Sequence, residues 1–349
     1  MGTVGERGPG RRPAISESIR EPAMIDVARL AGVSHQTVSR VLNDHPNVRA
    51  ETARRVRAAI FELGYRPNRA ARTLVTGRSQ VLGVVGLNTT LYGPTSLLTA
   101  FEQAAASAGF AVSVGSVARF DRESISAVVQ RHLDERVAGI ALIAPVASAN
   151  EALDALRIDT PLVTIDGDPR RPTVTVDQEA GARAATEHLL AAGHRTVWHV
   201  SGPTDWFDSA SRVAGWEASL RDAGAEIPPV VPADWSAAAG YRAGNMLARI
   251  PELTAIFAAN DHLAIGLLRA LHERSRRVPE EVSIVGFDDV PEAGYLIPPL
   301  TTVRPDFHAV AEHALRLLVA QLRSDPLPTA PVMLAPTLIE RNSVAPPPG

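Results

Sequence analysis

Four polar side chains stand where β-branched runs end or a helix begins: Asp166 after LVTI, Asn260 after AIFAA, Asp288 after SIVGF, and Arg212 in SRVAGW. Carboxylate, amide and guanidinium are planar groups that can hydrogen-bond two neighbouring hydroxyls at once. Gathered in a cleft, they suit a sugar-like small molecule. Each also has a plainer role. Asp288 with Asp289 reads as a cap and a solvated turn acid, Asn260 with Asp261 as an Asx turn opening a helix, and Arg212 as a surface ion-pair partner. A second set suits nucleic acid. His35, Gln36, Ser39 and Arg40 fall on one face of a helix whose other face carries Val38, Val41 and Leu42 at i, i+3, i+4 spacing. Arg40 has the shape to grip a guanine edge bidentately and Gln36 an adenine edge, with His35 tuning the preference.

These groups need elements to hold them. Ser34 sits where a helix N-cap belongs, and Gly32 supplies the tight turn after a short first helix with apolar weight at Ile25, Ala28 and Leu30. A third helix carries Val56, Ile60 and Leu63 at i, i+4, i+7. Three helices with a glycine turn between the first two make a helix-turn-helix. Between Met24 and Arg78 ten arginines face four acids, although the whole chain carries −3. A basic module joined to an acidic body gains affinity for DNA by releasing phosphate counterions; a solvated basic helical bundle would show the same charge.

From Gln80 onward, VLGVV (81 to 85), FAVSV (110 to 114), IALI (140 to 143) and LVTI (162 to 165) read as buried strands, with helices at Ser96 to Ala108 and Ser124 to Glu135. The pattern restarts with VWHV (197 to 200), AIFAA (255 to 259) and SIVGF (283 to 287). Alternating β and α predicts doubly wound parallel sheets, which bind ligands at the carboxyl ends of their strands. Asp166, Asn260 and Asp288 stand there.

AGVSHQTVSRVLN followed by YRPNRAARTL resembles the headpiece and hinge of the lactose repressor family of bacterial transcription factors. DWSAAAGY (234 to 241), AANDHLAIGLLRAL (258 to 271) and VSIVGFDDVPEAGYLIPPLTTVRPDF (282 to 307) are similar to its sensor, most of all to that of the founding member, so the likeness runs from Met24 to Asn342. The resemblance implies an all-α helix-turn-helix headpiece plus hinge helix, then an α/β periplasmic-binding-protein-like sensor of two doubly wound subdomains. By it the chain divides into a disordered arm (1–22), the DNA-binding domain (23–67), a hinge helix (68–77), a first subdomain (80–176 with 307–334), a second (177–306 with 335–342) and a flexible tail (343–349).

The same likeness assigns roles. Asn47, Asn68, Arg69 and Ala71 join His35, Gln36, Ser39 and Arg40 as DNA contacts, and Leu74 matches the wedge that opens a minor-groove base step. Asp166, Arg212, Asn260 and Asp288 match the polar effector contacts, Trp235 the stacking aromatic, Phe307 an apolar wall, and Leu91, Pro94 and Leu97 the hydrophobic floor; Trp235 and Phe307 read equally as core filler. Asp208 belongs to the effector set but departs from the founding member's Ser, as Ile143 and Leu87 depart from Asn and Ser; TDWFDS around Trp206 departs too. Ala23 and Arg49 stand where relatives carry capping hydroxyls, each worth about 1 kcal/mol.

The chain exceeds one ordinary domain, and 45% hydrophobic residues suffice for a sizeable core. Without cysteine there is no disulfide, thiolate nucleophile or Cys metal site. Without lysine there is no Schiff base, and GxGxxG after a strand, the P-loop, HExxH and GxSxG are missing as well. Asp288 and Asp289, as loop neighbours, need not face one substrate. No enzyme activity, cofactor or metal is expected. No apolar run approaches the roughly 20 residues of a membrane span, and MGTVGERGPGRRPA lacks the apolar core of a secretion signal, so a cytoplasmic protein is expected. Only SVAPPPG follows Asn342, without leucine heptads, which points to a homodimer rather than a tetramer. The expected partners are a double-stranded, palindromic DNA operator and a sugar or glycoside that releases it. A purine-like co-repressor, or a sugar-binding transport component, is the alternative.

Overall fold

The computed structural model describes residues 22–42, 45, 47–65, 79–87, 90–119, 121–143, 145–167 and 169–348. The chain divides into two units, 1–78 and 79–349. Among the described residues, the first has three helices, α1 (Met24–Ala31), α2 (His35–Leu42) and α3 (Ala50–Leu63). Their core is Val27, Ala28, Ala31, Val38, Val41, Val56, Ala59 and Tyr65. Of the apolar stripe expected in the first helix, Ala28 is buried, but Ile25 and Leu30 are exposed and the i, i+4 pair Val27 and Ala31 is buried in their place. Gly32, at φ 62°, closes α1 in the left-handed region that glycine enters freely. The Ser34 hydroxyl then accepts the Thr37 N–H at 3.2 Å, capping α2. At α1 and α3 no side-chain oxygen caps the start. Asp26 compensates in part by accepting the Ala23 N–H at 2.9 Å.

The second unit begins with β1 (Val81–Leu87), α4 (Tyr92–Ser107), β2 (Ala111–Val117), α5 (Arg122–Asp134), β3 (Gly139–Ile143), α6 (Ala147–Asp154), β4 (Leu162–Ile165) and β5 (Thr173–Val176). It continues through α7 (Gln178–Ala191), β6 (Trp198–Ser201), α8 (Phe207–Asp222), β7 (Val231–Pro232), α9 (Ala237–Leu247), β8 (Ala255–Ala258), α10 (Asp261–Glu273), β9 (Ser283–Phe287) and β10 (Thr301–Arg304). It ends with α11 (Phe307–Arg323), β11 (Val332–Leu334) and β12 (Thr337–Ile339). Two six-stranded sheets result, ordered β11-β5-β4-β3-β1-β2 and β12-β10-β9-β8-β6-β7. The first is parallel throughout; the second is parallel except for β12 on β10.

Each sheet is covered on both faces, which is why its strands are apolar at successive positions. In β3, Ala141 and Ile143 face α4 and α11 while Ile140 and Leu142 face α5 and α6. In β8, Ile256 and Ala258 face α9 and α10 while Ala255 and Phe257 face α7 and α8. The chain passes between the two lobes after β5, after β10 and between β11 and β12. Residues 343–345 are not a free tail. The buried Ser343 hydroxyl accepts the Thr301 N–H at 2.8 Å and donates to the Ile284 carbonyl at 2.6 Å, and Ala345 exchanges hydrogen bonds with Ser283 at 3.0 Å. Buried backbone groups at the start of β9 need these partners, a demand that the proline-rich composition does not reveal.

Candidate functional site

Asp166, Asn260 and Asp288 follow β4, β8 and β9, at the carboxyl ends of both sheets, so the lobes present them to one interlobe cleft. Asp166 and Asp288 take positive φ values of 54° and 105°, backbone conformations that a residue with a Cβ rarely adopts and that cluster at ligand sites. Arg212 projects from the second turn of α8, further along than the helix start expected from SRVAGW. Leu91, Pro94 and Leu97 line the opposite wall from the start of α4, and Phe307 from the start of α11. With Asp208 and Trp235, these ten residues line two adjoining cavities of about 40 and 30 Å³. Such spaces hold a water or two rather than a sugar ring. The lobes are also latched, with Phe207 N–H donating to Pro145 O at 2.8 Å and Val146 bridging Trp206. A wider cavity of about 800 Å³ adjoins them, sharing Asp166, Gln178 and Asp208.

Arg212 is the hub. Its Nε donates to Gln178 Oε1 at 2.9 Å, one terminal nitrogen donates to the Ala259 carbonyl, and the other lies 3.8 Å from Asp288. The guanidinium also sits 3.7 Å from the Phe287 ring centroid and 5.5 Å from that of Trp235, where aromatic quadrupoles favour a cation. It is a buried node, not a surface ion pair. Asn260 does cap a helix, accepting the Leu263 N–H at 2.9 Å, and it donates to Trp235 O at 3.2 Å; one amide hydrogen is left for a ligand. Asp289 bridges Arg304 and Arg341 at 2.6 and 2.7 Å, so it holds the loop instead of acting as a solvated turn acid. Asp261, fully buried, accepts from Thr302 Oγ1 at 2.6 Å and Val290 N–H at 2.8 Å and serves the same loop.

Burial raises the carboxylates. Desolvation pushes Asp288 up to about 6 against the pull of Arg212. It also raises Asp166, opposed by hydrogen bonds from Thr175 and Val176 and by Arg212. Asp208 is raised well above the usual range by desolvation first and then by the Asp166 charge. Trp235 is 7% exposed, with its indole N–H lacking an acceptor among the described residues. Gly202 lies against its ring so closely that an added Cβ would stand 2.2 Å away, and Trp206 meets its edge at 5.5 Å. Gln178 and Tyr92 were not picked out from the sequence, because nothing in their neighbourhood signals chemistry. Trp206 had a signal, since it lies in the divergent TDWFDS segment.

In the headpiece, His35, Gln36 and Arg40 are exposed on α2, Ser39 is half-buried beside them, and Asn47 is exposed just beyond. Asn68, Arg69, Ala71 and Leu74, with the hinge 68–77 and the arm apart from Pro22, lie outside the described residues. No helix among the described residues is long and apolar enough to cross a membrane.

A helix-turn-helix and a two-lobed sensor with a polar cleft, on one chain, define a ligand-sensing DNA-binding regulator. A family model described as bacterial regulatory proteins, lacI family, matches residues 23–68, and one described as periplasmic binding protein-like domain matches residues 186–344. The chain is 33% identical to the lactose operon repressor of Escherichia coli K12, over 93% of this chain and 91% of that protein. It is 29% identical to the ribose operon repressor of the same strain, over 92% and 99%. A crystal structure of the lac repressor dimer bound to operator and the anti-inducer ONPF superimposes with a TM-score of 0.86 at 31% identity, covering 93% of this chain and all of that one. The protein belongs to the lacI family of bacterial regulatory proteins, and these relatives are regulators rather than enzymes.

Proposed function

We propose that this protein is a cytoplasmic, homodimeric transcriptional repressor without catalytic activity, which binds a palindromic operator and is released by a sugar or glycoside held in the interlobe cleft. The observation that carries it is the convergence of Asp166, Arg212, Asn260 and Asp288 with Trp235 on one cleft, in a chain whose α2 exposes Gln36 and Arg40. Planar polar groups would bind adjacent hydroxyls while Trp235 and Phe307 flank the ring. A cleft of about 40 and 30 Å³ must part to admit such a ligand. Because the chain passes between the lobes after β5, after β10 and between β11 and β12, parting them changes their relative angle. A ligand favouring one angle shifts that equilibrium by its difference in affinity for the two, a coupling of about 1 to 3 kcal/mol. Residues 68 to 75, which lie outside the described residues, would carry the change to DNA, with Leu74 as the wedge that the resemblance implies.

Selection of bound sequences from a random pool tests the DNA half, with the expected result a near-palindrome whose half-sites lie about 10 bp apart. Glycosides are then titrated against that operator. Arg212→Ala should keep operator binding and abolish the response to ligand; loss of DNA binding by the folded variant, or tighter binding with a purine, would replace the inducer with a co-repressor.

A further inference from the structure

Three carboxylates, Asp166, Asp208 and Asp288, line the effector cleft, and Arg212 is its only cationic side chain among the described residues. The guanidinium is already committed to Gln178, Ala259 O and Asp288. Asp166 accepts Thr175 Oγ1 at 2.7 Å and the Val176 N–H at 3.2 Å. Asp208 has neither a hydrogen bond nor a salt bridge among the described residues. Arg183 borders the wider cavity that Asp208 also lines, but is held by Asp222 at 2.9 Å and flanked by Glu179 and Glu187. Trp235, which also lines the cleft, has a buried indole N–H without an acceptor among the described residues.

A ligand completing both would bring an oxygen acceptor for the indole and a cation for Asp208. The hydroxyls of a neutral sugar can hydrogen-bond to both but carry no charge, so Asp208 would stay without a cation of its own. We propose that the effector is an amino sugar, its ammonium group taken by Asp208 with Asp166 alongside, and that Asp208 sets the preference for it over the hydroxyl parent. This inference rests on the effector-site reading above and deepens it. The groups facing Asp208 are Asp166, Asp288 and Arg212 in the cleft and Asp177, Glu179 and Arg183 around the wider cavity. Acids prevail among them, so a bound cation is favoured over an anion.

The experiment is calorimetric titration of the full-length protein, and of Asp208→Ser and Asp208→Asn, with methyl glycosides bearing one amine at C2, C3, C4 or C6. Each is paired with its hydroxyl parent, and circular dichroism checks the fold. A charge-assisted contact corresponds to a preference of roughly tenfold to a hundredfold for one amino glycoside at pH 7, which should fall to about twofold in both variants. Its affinity should rise with pH as Asp208, held above the usual carboxyl range by burial, ionises, and fall at alkaline pH as the amine loses its proton; the rise should be shallower in Asp208→Asn. Equal or tighter binding of the hydroxyl parents, or a preference or pH rise that survives Asp208→Asn unchanged, overturns the inference while leaving the effector site intact. If no glycoside in the panel binds while the selected operator still does, the effector-site reading itself fails, and this inference with it.

Discussion

Replacing Asp288 by Asn should stabilise the sensor at neutral pH, and the size of the effect follows from its burial. The carboxyl is displaced from an ordinary 3.8 to about 6 because desolvation outweighs the attraction of Arg212 3.8 Å away. Each pKa unit is worth about 1.36 kcal/mol of preference for the neutral form, so the ionised group destabilises the folded sensor by about 3 kcal/mol once pH exceeds about 6. Below about pH 4 the proton is bound in both folded and unfolded chains, and the substitution changes little. Between about 4 and 6 only the folded chain holds it, so the parent's stability from this group falls as pH rises. Asn keeps the shape and cannot ionise; it should gain up to about 3 kcal/mol at pH 7.5 and nearly nothing at pH 4. All four tryptophans, 198, 206, 216 and 235, lie in the sensor, so urea unfolding of the full chain followed by tryptophan fluorescence reports on that unit. Comparing variant with parent at each pH cancels the other titrating groups to first order. A difference that does not change between pH 4 and 7.5, or a variant less stable than the parent at pH 7.5, would refute the reasoning.

Three further outcomes follow from single contacts. Ser343→Ala removes a hydroxyl that satisfies Thr301 N–H and Ile284 O, and should lower sensor stability in the same urea assay by about 1 to 3 kcal/mol; no change would mean that residues 343–345 are loose after all. Ser34→Ala uncaps α2 and should lower the protection of headpiece amides in hydrogen exchange by an amount equivalent to about 1 kcal/mol, with no effect if water replaces the hydroxyl equally well. Gly202→Ala forces a methyl into the Trp235 ring. It should shift the tryptophan emission and abolish any glycoside-induced change while operator binding persists; an unchanged emission spectrum would show that the indole has room to move.

The DNA-reading half was legible in local sequence because a helix-turn-helix is built from local signals: Gly32 for the turn, Ser34 for the cap, and a period that sends Val38 and Val41 inward and leaves Gln36 and Arg40 outside. Even there, which of Ile25 and Val27 is buried depended on how α1 meets α3, a question of packing that the short helix alone could not answer. The buried central strands were legible as β-branched runs, and so were the candidate site residues at their ends. The strands β5, β7, β10, β11 and β12 were not; they lie at or next to the edges of the two sheets and become strands by pairing with a neighbour. Tertiary structure alone decided the electrostatics of the cleft. In sequence, Asp166, Asp208, Arg212 and Asp288 are four ordinary charged residues; in the fold, β4, β9 and α8 converge and exclude water. Desolvation then turns their separation in space into raised carboxyl pKa values, with the single Arg212 charge set among three carboxylates. Desolvation depends on everything within several ångströms, most of it far away along the chain, so no local stretch of sequence could have carried it.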